Sequence, residues 1–173
     1  MTYDLGFLVV RLILGLAIAA HGAQKLFGWF GGYGIKGTGG FFESLGFRPG
    51  TFFATASGLS ESLGGLLIVF GLFGPVGPML VIATMVVAIF SVHIKNGFWQ
   101  SANGYELTTM YIAASIAVAF APLSPASLDA VLGLVALHQA AIIWAALGLG
   151  VLGGLANLMM RRPAPSSVVE PAG

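Results

Sequence analysis

Hydrophobic positions along this chain fall into five long blocks, separated by short stretches of glycine, proline and polar residues. The first runs from Leu5 to Phe27. About 20 consecutive apolar residues are enough to cross a bilayer as a helix. The second block, Gly50 to Phe73, follows Pro49, a residue suited to the start of a helix, and Gly74, Pro75, Gly77 and Pro78 then make a tight turn. The third runs from Met79 to Lys95 and the fourth from Tyr105 to Ala121, where Pro122 and Pro125 break the pattern. The fifth, Val135 to Met160, stops at Arg161 and Arg162. The tail, 161–173, is polar and proline-bearing and is expected to be disordered and cytoplasmic. The pattern predicts an all-α, polytopic membrane helix bundle. A signal peptide is the rival for the first block, but a charged leader is missing and Arg11 interrupts the apolar run.

Between the first two blocks, residues 28–49 are rich in glycine and aromatics. Trp29, Phe30 and Tyr33 suit an aromatic belt at the membrane interface, where Trp99 and Tyr105 should join them. Phe41, Phe42, Leu45 and Phe47 then predict a short helix lying in the interface or folding back under the bundle.

Composition strengthens the membrane assignment. Of 173 residues, 57% are hydrophobic and only 8% charged, whereas soluble domains carry about a quarter charged residues. The net charge of +1 leaves no footprint for nucleic acid. The lack of cysteine excludes disulfides, thiol redox chemistry, Cys-ligated iron–sulfur clusters and thioether-linked haem. Charge also sets a topology. Lys25, Lys36, Arg48, Lys95, Arg161 and Arg162 all fall on one side of a five-span arrangement, and no Lys or Arg lies in the loops of the other. The positive-inside rule places the N-terminus outside and the C-terminus in the cytoplasm, as for a bacterial-type inner membrane.

Ionisable residues inside spans demand partners, because a charge at a span centre costs about 2.5–3.5 kcal/mol on insertion scales. Arg11, Gly15, Ile18, Gly22 and Lys25 share one face of the first helix, with His21 and Gln24 at its edge. Glu61 sits centrally in the second, among Ala54, Ser57, Gly58, Gly64, Gly65 and Ile68, small residues that permit close packing. Arg11 and Glu61 are therefore expected to form a buried charge pair, as a structural clamp or beside a ligand or proton path. A second group gathers at the cytoplasmic ends: His21, Gln24, Lys25, His93, Asn96 and Glu106. It suits a pocket for a quinone head group, with His or Glu exchanging protons. Helix-dipole stabilisation of Glu106 is the plainer account of that residue. A bis-histidine haem b on His21 and His93 is disfavoured by weak spacing, and no resident metal is expected. His138 should be interfacial. Gly150 and Gly154 form a small-xxx-small pair that serves packing within the chain or homo-oligomerisation.

Several segments in order, HGAQKLFGWFGGYGIKGTGGFFESLGF, SGLSESLGGLLIVFGLF, SVHIKNGFW, GYELT and, more loosely, SLD at 127–129, resemble the DoxX family of small membrane proteins. The family's motif residues map to Arg11, Gly22, Lys25, Glu61, His93, Asn96, Gly97, Gly104 and Glu106. The resemblance implies a four-helix body over 1–130 with an interfacial segment at 28–49, leaving 131–160 as an additional transmembrane helix. The family's turn before Ser-Leu-Asp usually resembles Gly-Pro-Gly, whereas this chain has APLSPASLD. The family is named for a subunit of a thiosulfate:quinone oxidoreductase, which implies a redox or stress-defence assembly, a quinone and a redox partner protein. No P-loop, dinucleotide fingerprint or nucleophile–base arrangement is present. Two other functions remain open: a non-catalytic membrane anchor or assembly scaffold, and a small transporter or channel. The lack of inverted repeats or matched broken helices argues against the last.

Overall fold

The computed structural model describes residues 2–162, with side chains from residue 5 onward; the expected disorder of the tail falls on 163–173, outside the described residues. The described chain is all helical. Helix α1 spans Thr2–Phe27, α2 Gly34–Ser44, α3 Gly50–Phe70, α4 Val76–Ala88, α5 Glu106–Ala119, α6 Leu128–Val131 and α7 Ala140–Met159. Among the described residues, four segments are long and apolar enough to cross a membrane: Leu5–Phe27, Gly50–Phe70, Val76–Asn96 and Ala140–Met159. α5 is also apolar but shorter, with 14 residues. Leu12, Ile13, Leu16, Leu63, Leu66, Trp144 and Leu152 point outward and are exposed. An outer surface of this kind is solvated by lipid, and helices satisfy their own backbone groups there. The protein is a multi-pass membrane helix bundle.

The first and third helices meet through glycine. A Cβ on Gly15 would lie 2.6 Å from the Gly65 carbonyl, and one on Gly22 would lie 2.6 Å from the Gly58 carbonyl. The backbones touch because neither helix has a side chain to hold them apart. Beside this seam, Leu14, Ile18, Ile68, Val81 and Met85 form the central core. α7 packs on α4 in the same manner: a Cβ on Gly150 or Gly154 would run into the Met79 or Ala83 carbonyl, at 2.7 and 2.8 Å. The small-xxx-small pair thus serves packing within the chain.

Residues 28–49 fold back against the start of α3. α2 buries Thr38, Gly39 and Phe42, and Phe42, Phe47, Phe53 and Ala54 form one cluster beneath the bundle. Glu43 Oε1 accepts the Gly50 N–H at 3.0 Å, satisfying a free donor at the start of α3. The end of α7 closes on the same loop. The Arg162 N–H donates to the Gly46 carbonyl at 2.7 Å, and Arg161 Nε donates to the Leu45 carbonyl at 2.9 Å. The ends of α1 and α7 and the start of α3 therefore share one end of the bundle.

α3 ends at Phe70 rather than Phe73, capped by Gly71 in the left-handed conformation, and α4 begins at Val76 rather than Met79, so that Gly77 and Pro78, expected in the turn, stand in its first turn, where a proline is tolerated. Two further features depart from the sequence expectation. α7 begins at Ala140 rather than Val135, because 135–138 forms a 3₁₀ turn whose His138 is held by Asp129. α4 continues past Ala88 as a π turn, Ile89–His93. Wide turns of this kind re-aim the residues that follow. The glycine seam is the most sensitive contact: Gly22→Val should cost about 1–3 kcal/mol through overpacking, seen as a lowered Tm in detergent, while Gly6→Val, where a Cβ meets no neighbour, should leave Tm unchanged.

Candidate functional site

Two polar clusters occupy opposite ends of the bundle. At the end bearing the α3–α4 turn, Asp129 is fully buried. Its carboxylate accepts the N–H groups of Phe73 and Gly74 at 2.8 and 2.7 Å and pairs with His138 Nε2 at 2.9 Å. Ser127 caps the short α6 that carries it, accepting the Ala130 N–H. His138, expected at the interface, is drawn inward to this carboxylate.

Arg11 belongs to this end. Its Nε donates to the Ile68 carbonyl at 3.1 Å and one Nη to the Val69 carbonyl at 3.0 Å; the other Nη reaches the Ala126 carbonyl at 3.5 Å. The expected Arg11–Glu61 pair does not form. The last carbonyls of α3 are unsatisfied by the helix and carry partial negative charge, so they attract the guanidinium. Glu61 lies seven residues before Ile68, about 10 Å along the helix axis at 1.5 Å per residue, and finds its cation in the other direction.

That cation is Lys25. Its ammonium contacts Glu61 Oε1 at 2.5 Å and donates to Ser57 Oγ at 2.9 Å. Glu61 is 3% exposed, and its second oxygen, Oε2, has no hydrogen-bond partner. Arg11, Glu61 and Lys25 were each marked by the sequence; it is the pairing that changes.

Around the Lys25–Glu61 pair the structure opens a cavity of about 260 Å³, lined by His21, Lys25, Glu61, Met85, Ala88, His93, Gln100, Leu107, Thr108 and Tyr111. Its hydrogen bonds fix the tautomers. His93 Nδ1 lies 2.9 Å from the Asn103 carbonyl, which only accepts, so Nδ1 carries a proton, and in the neutral ring Nε2 is an acceptor. Gln24 donates its amide to the Phe30 carbonyl, which turns Oε1 toward His21 Nδ1 at 3.1 Å. His21 Nδ1 therefore donates, and Nε2 accepts from the Tyr111 hydroxyl at 3.4 Å.

Of the candidates read from the sequence, His21, Lys25 and His93 line the cavity together. Asn96 and Glu106 flank its supporting loop, Asn96 closing the turn after His93 and Glu106 opening α5. Asn96 Nδ2 donates to the Val92 and Asn103 carbonyls, and Glu106 Oε2 accepts the Gln100 N–H at 2.8 Å. They hold the loop that carries Gln100 and set the carbonyl that orients His93. Tyr111 and Gln100 were missed. Tyr111 was detectable, since a lone phenol inside an apolar helix needs a partner for its hydroxyl. Thr108, three residues earlier, lies on the same face.

Among the described residues, no three His, Asp or Glu side chains converge to hold a metal ion. Fold and site together define a polytopic helix-bundle membrane protein with an ion pair buried beside a polar cavity. The DoxX family model matches residues 6–94, and the chain belongs to that family. A curated relative from Bacillus subtilis (strain 168), named "Putative oxidoreductase CatD", is 31% identical over 102 residues, covering 59% of this chain and 70% of the relative. No solved structure matches the chain.

Two predictions follow from these clusters. Asp129→Ala strips from the α3–α4 turn the carboxylate that accepts its two N–H groups and should cost about 3–5 kcal/mol, as for a broken buried pair, read as a fall in Tm. Lys25→Met should cost a similar amount by stranding Glu61, about 3–5 kcal/mol, whereas Lys25→Met with Glu61→Gln should recover most of it. Equal Tm values for the single and double variants would show that the pair is not coupled.

Proposed function

We propose that this protein is a membrane subunit of a quinone-linked redox or stress-defence complex, and that the cavity around Lys25 and Glu61 receives the quinone head group. The observation that carries this is the composition of the cavity wall. A buried carboxylate oxygen without a partner, two imidazole Nε2 atoms, an ammonium and a phenol surround a space set between apolar helices. The cavity falls just below the range of about 300–1,000 Å³ typical of sites for drug-sized ligands, which suits a single ring. The named relative supports the redox class.

A bound quinone would supply two carbonyl acceptors that take up two electrons and two protons. The chain's own groups suit the proton part. Lys25 presents a donor to a carbonyl oxygen, and His93 Nε2 and Glu61 Oε2 accept protons from a quinol. Met85, Ala88 and Leu107 keep water from the remaining wall. Electrons would come from a separate redox partner protein. The membrane is taken to be the bacterial cytoplasmic membrane, with the N-terminus outside and the C-terminus inside, because all six loop and end cations lie on one side.

The test is organic extraction of gently purified protein. Wild type should retain quinone, and Glu61→Gln and His93→Ala should each lower retention by about tenfold, the loss of one charge-assisted hydrogen bond. Equal quinone content in wild type and both variants would count against the site. Capture of a soluble partner by a protein that retains no quinone would favour the anchor role instead.

A further inference from the structure

A second and larger hollow lies beside the cavity. It measures about 590 Å³ and is lined by Gln24, Lys25, Gly31, Gly32, Tyr33, Gly37, Thr38 and Phe41. It runs between the end of α1 and the inner face of α2. Lys25 lines both spaces, so the two hollows meet at one side chain. Their chemistries differ. The inner cavity holds the carboxylate, both histidines and the phenol. The outer cleft is walled by three glycines and two aromatic rings, with Gln24, Lys25, Thr38 and the Tyr33 hydroxyl as its polar groups.

The glycines make the cleft a slot. Gly32 lies so close to Gln24 that any side chain would collide with it, and a Cβ on Gly37 would lie 2.7 Å from the Tyr33 Cβ. A Cβ on Gly31 would meet nothing within 4 Å, so its side of the slot is open. At the mouth, Trp29, Phe30, Tyr33 and Phe41 are 59%, 71%, 84% and 51% exposed. Exposed aromatics of this kind sit at the boundary between acyl chains and head groups. An occupant of the slot therefore arrives from the bilayer and not from bulk water.

We propose that the ligand is amphipathic: its polar ring sits in the inner cavity and its long apolar tail lies in the slot beneath α2, leaving between the aromatics into the lipid. This rests on the quinone reading above and narrows it to membrane-resident, tailed quinones. Lys25 divides the two parts. Its ammonium faces Glu61 and Ser57, while its methylene stem offers an apolar surface to the slot. Thr38, on the buried face of α2, sets the width of the slot.

Binding of two probes to the purified full-length protein in detergent tests the proposal. One is a dimethoxy-methyl-benzoquinone ring without a tail; the other is the same ring carrying two isoprene units. Wild type should bind the tailed probe more tightly. Thr38→Phe, which fills the slot, should weaken the tailed probe by about tenfold or more, equivalent to roughly two buried methylenes, and leave the tail-less probe unchanged. Phe41→Ala, on a half-exposed ring, should do the same more mildly. Glu61→Gln should weaken both probes. If wild type binds neither probe, the quinone reading fails and this proposal with it. If both probes bind wild type equally, or both slot variants leave the tailed probe untouched, the head site stands and the slot assignment is overturned. Loss of co-purifying phospholipid from the slot variants, with equal binding of both probes, overturns it in favour of a resident acyl chain.

Discussion

The approach of α1 to α3 governs what the rest of this bundle can do. Where Gly15 meets Gly65 and Gly22 meets Gly58, the two backbones touch, and only at that spacing does a lysine near the end of α1 reach a carboxylate at the centre of α3. In hydrocarbon there is no hydrophobic gain from joining helices, so close backbone packing and polar contacts must do it. The seam and the Lys25–Glu61 pair are thus mutually dependent. The glycines bring the charges together, and the charges would be expensive to bury apart.

The two polar clusters then separate in character. Asp129 is saturated: two backbone N–H groups and His138 occupy its oxygens, and Arg11 is spent on carbonyls at the end of α3. This end closes the bundle. The opposite end keeps unused capacity in Glu61 Oε2 and in the Nε2 of His93, next to open space. The saturated end is a closed hydrogen-bond network, while the end with the cavity keeps unpartnered polar atoms beside open space.

Much of the architecture was legible because hydropathy reports the solvent, and each of the long apolar blocks became a helix near its expected limits. The buried faces of α1 and α3 also followed from helical spacing, since small residues gathered where backbones had to meet. What the sequence did not reveal was pairing. Arg11 and Lys25 lie on the same face of α1, so periodicity alone could assign either to Glu61; the choice depends on the axial offset of two helices, a tertiary quantity. The pull of the final α3 carbonyls on Arg11 decides it. Asp129 was not singled out, because a lone acid between apolar blocks carries no periodic signal; it lay only within the loosely matching SLD segment at 127–129. The displaced start of α7 has the same origin, as His138 responds to a carboxylate nine residues away.

The strap from Arg161 and Arg162 onto Leu45, Gly46 and Phe47 bears on how the molecule is made. Ribosomes deliver the helices in chain order, so the 45–47 corner emerges long before the segment that caps it. Until the end of α7 is in place, the Leu45 and Gly46 carbonyls lack these two donors. Closure of this end of the bundle is therefore tied to the last helix made.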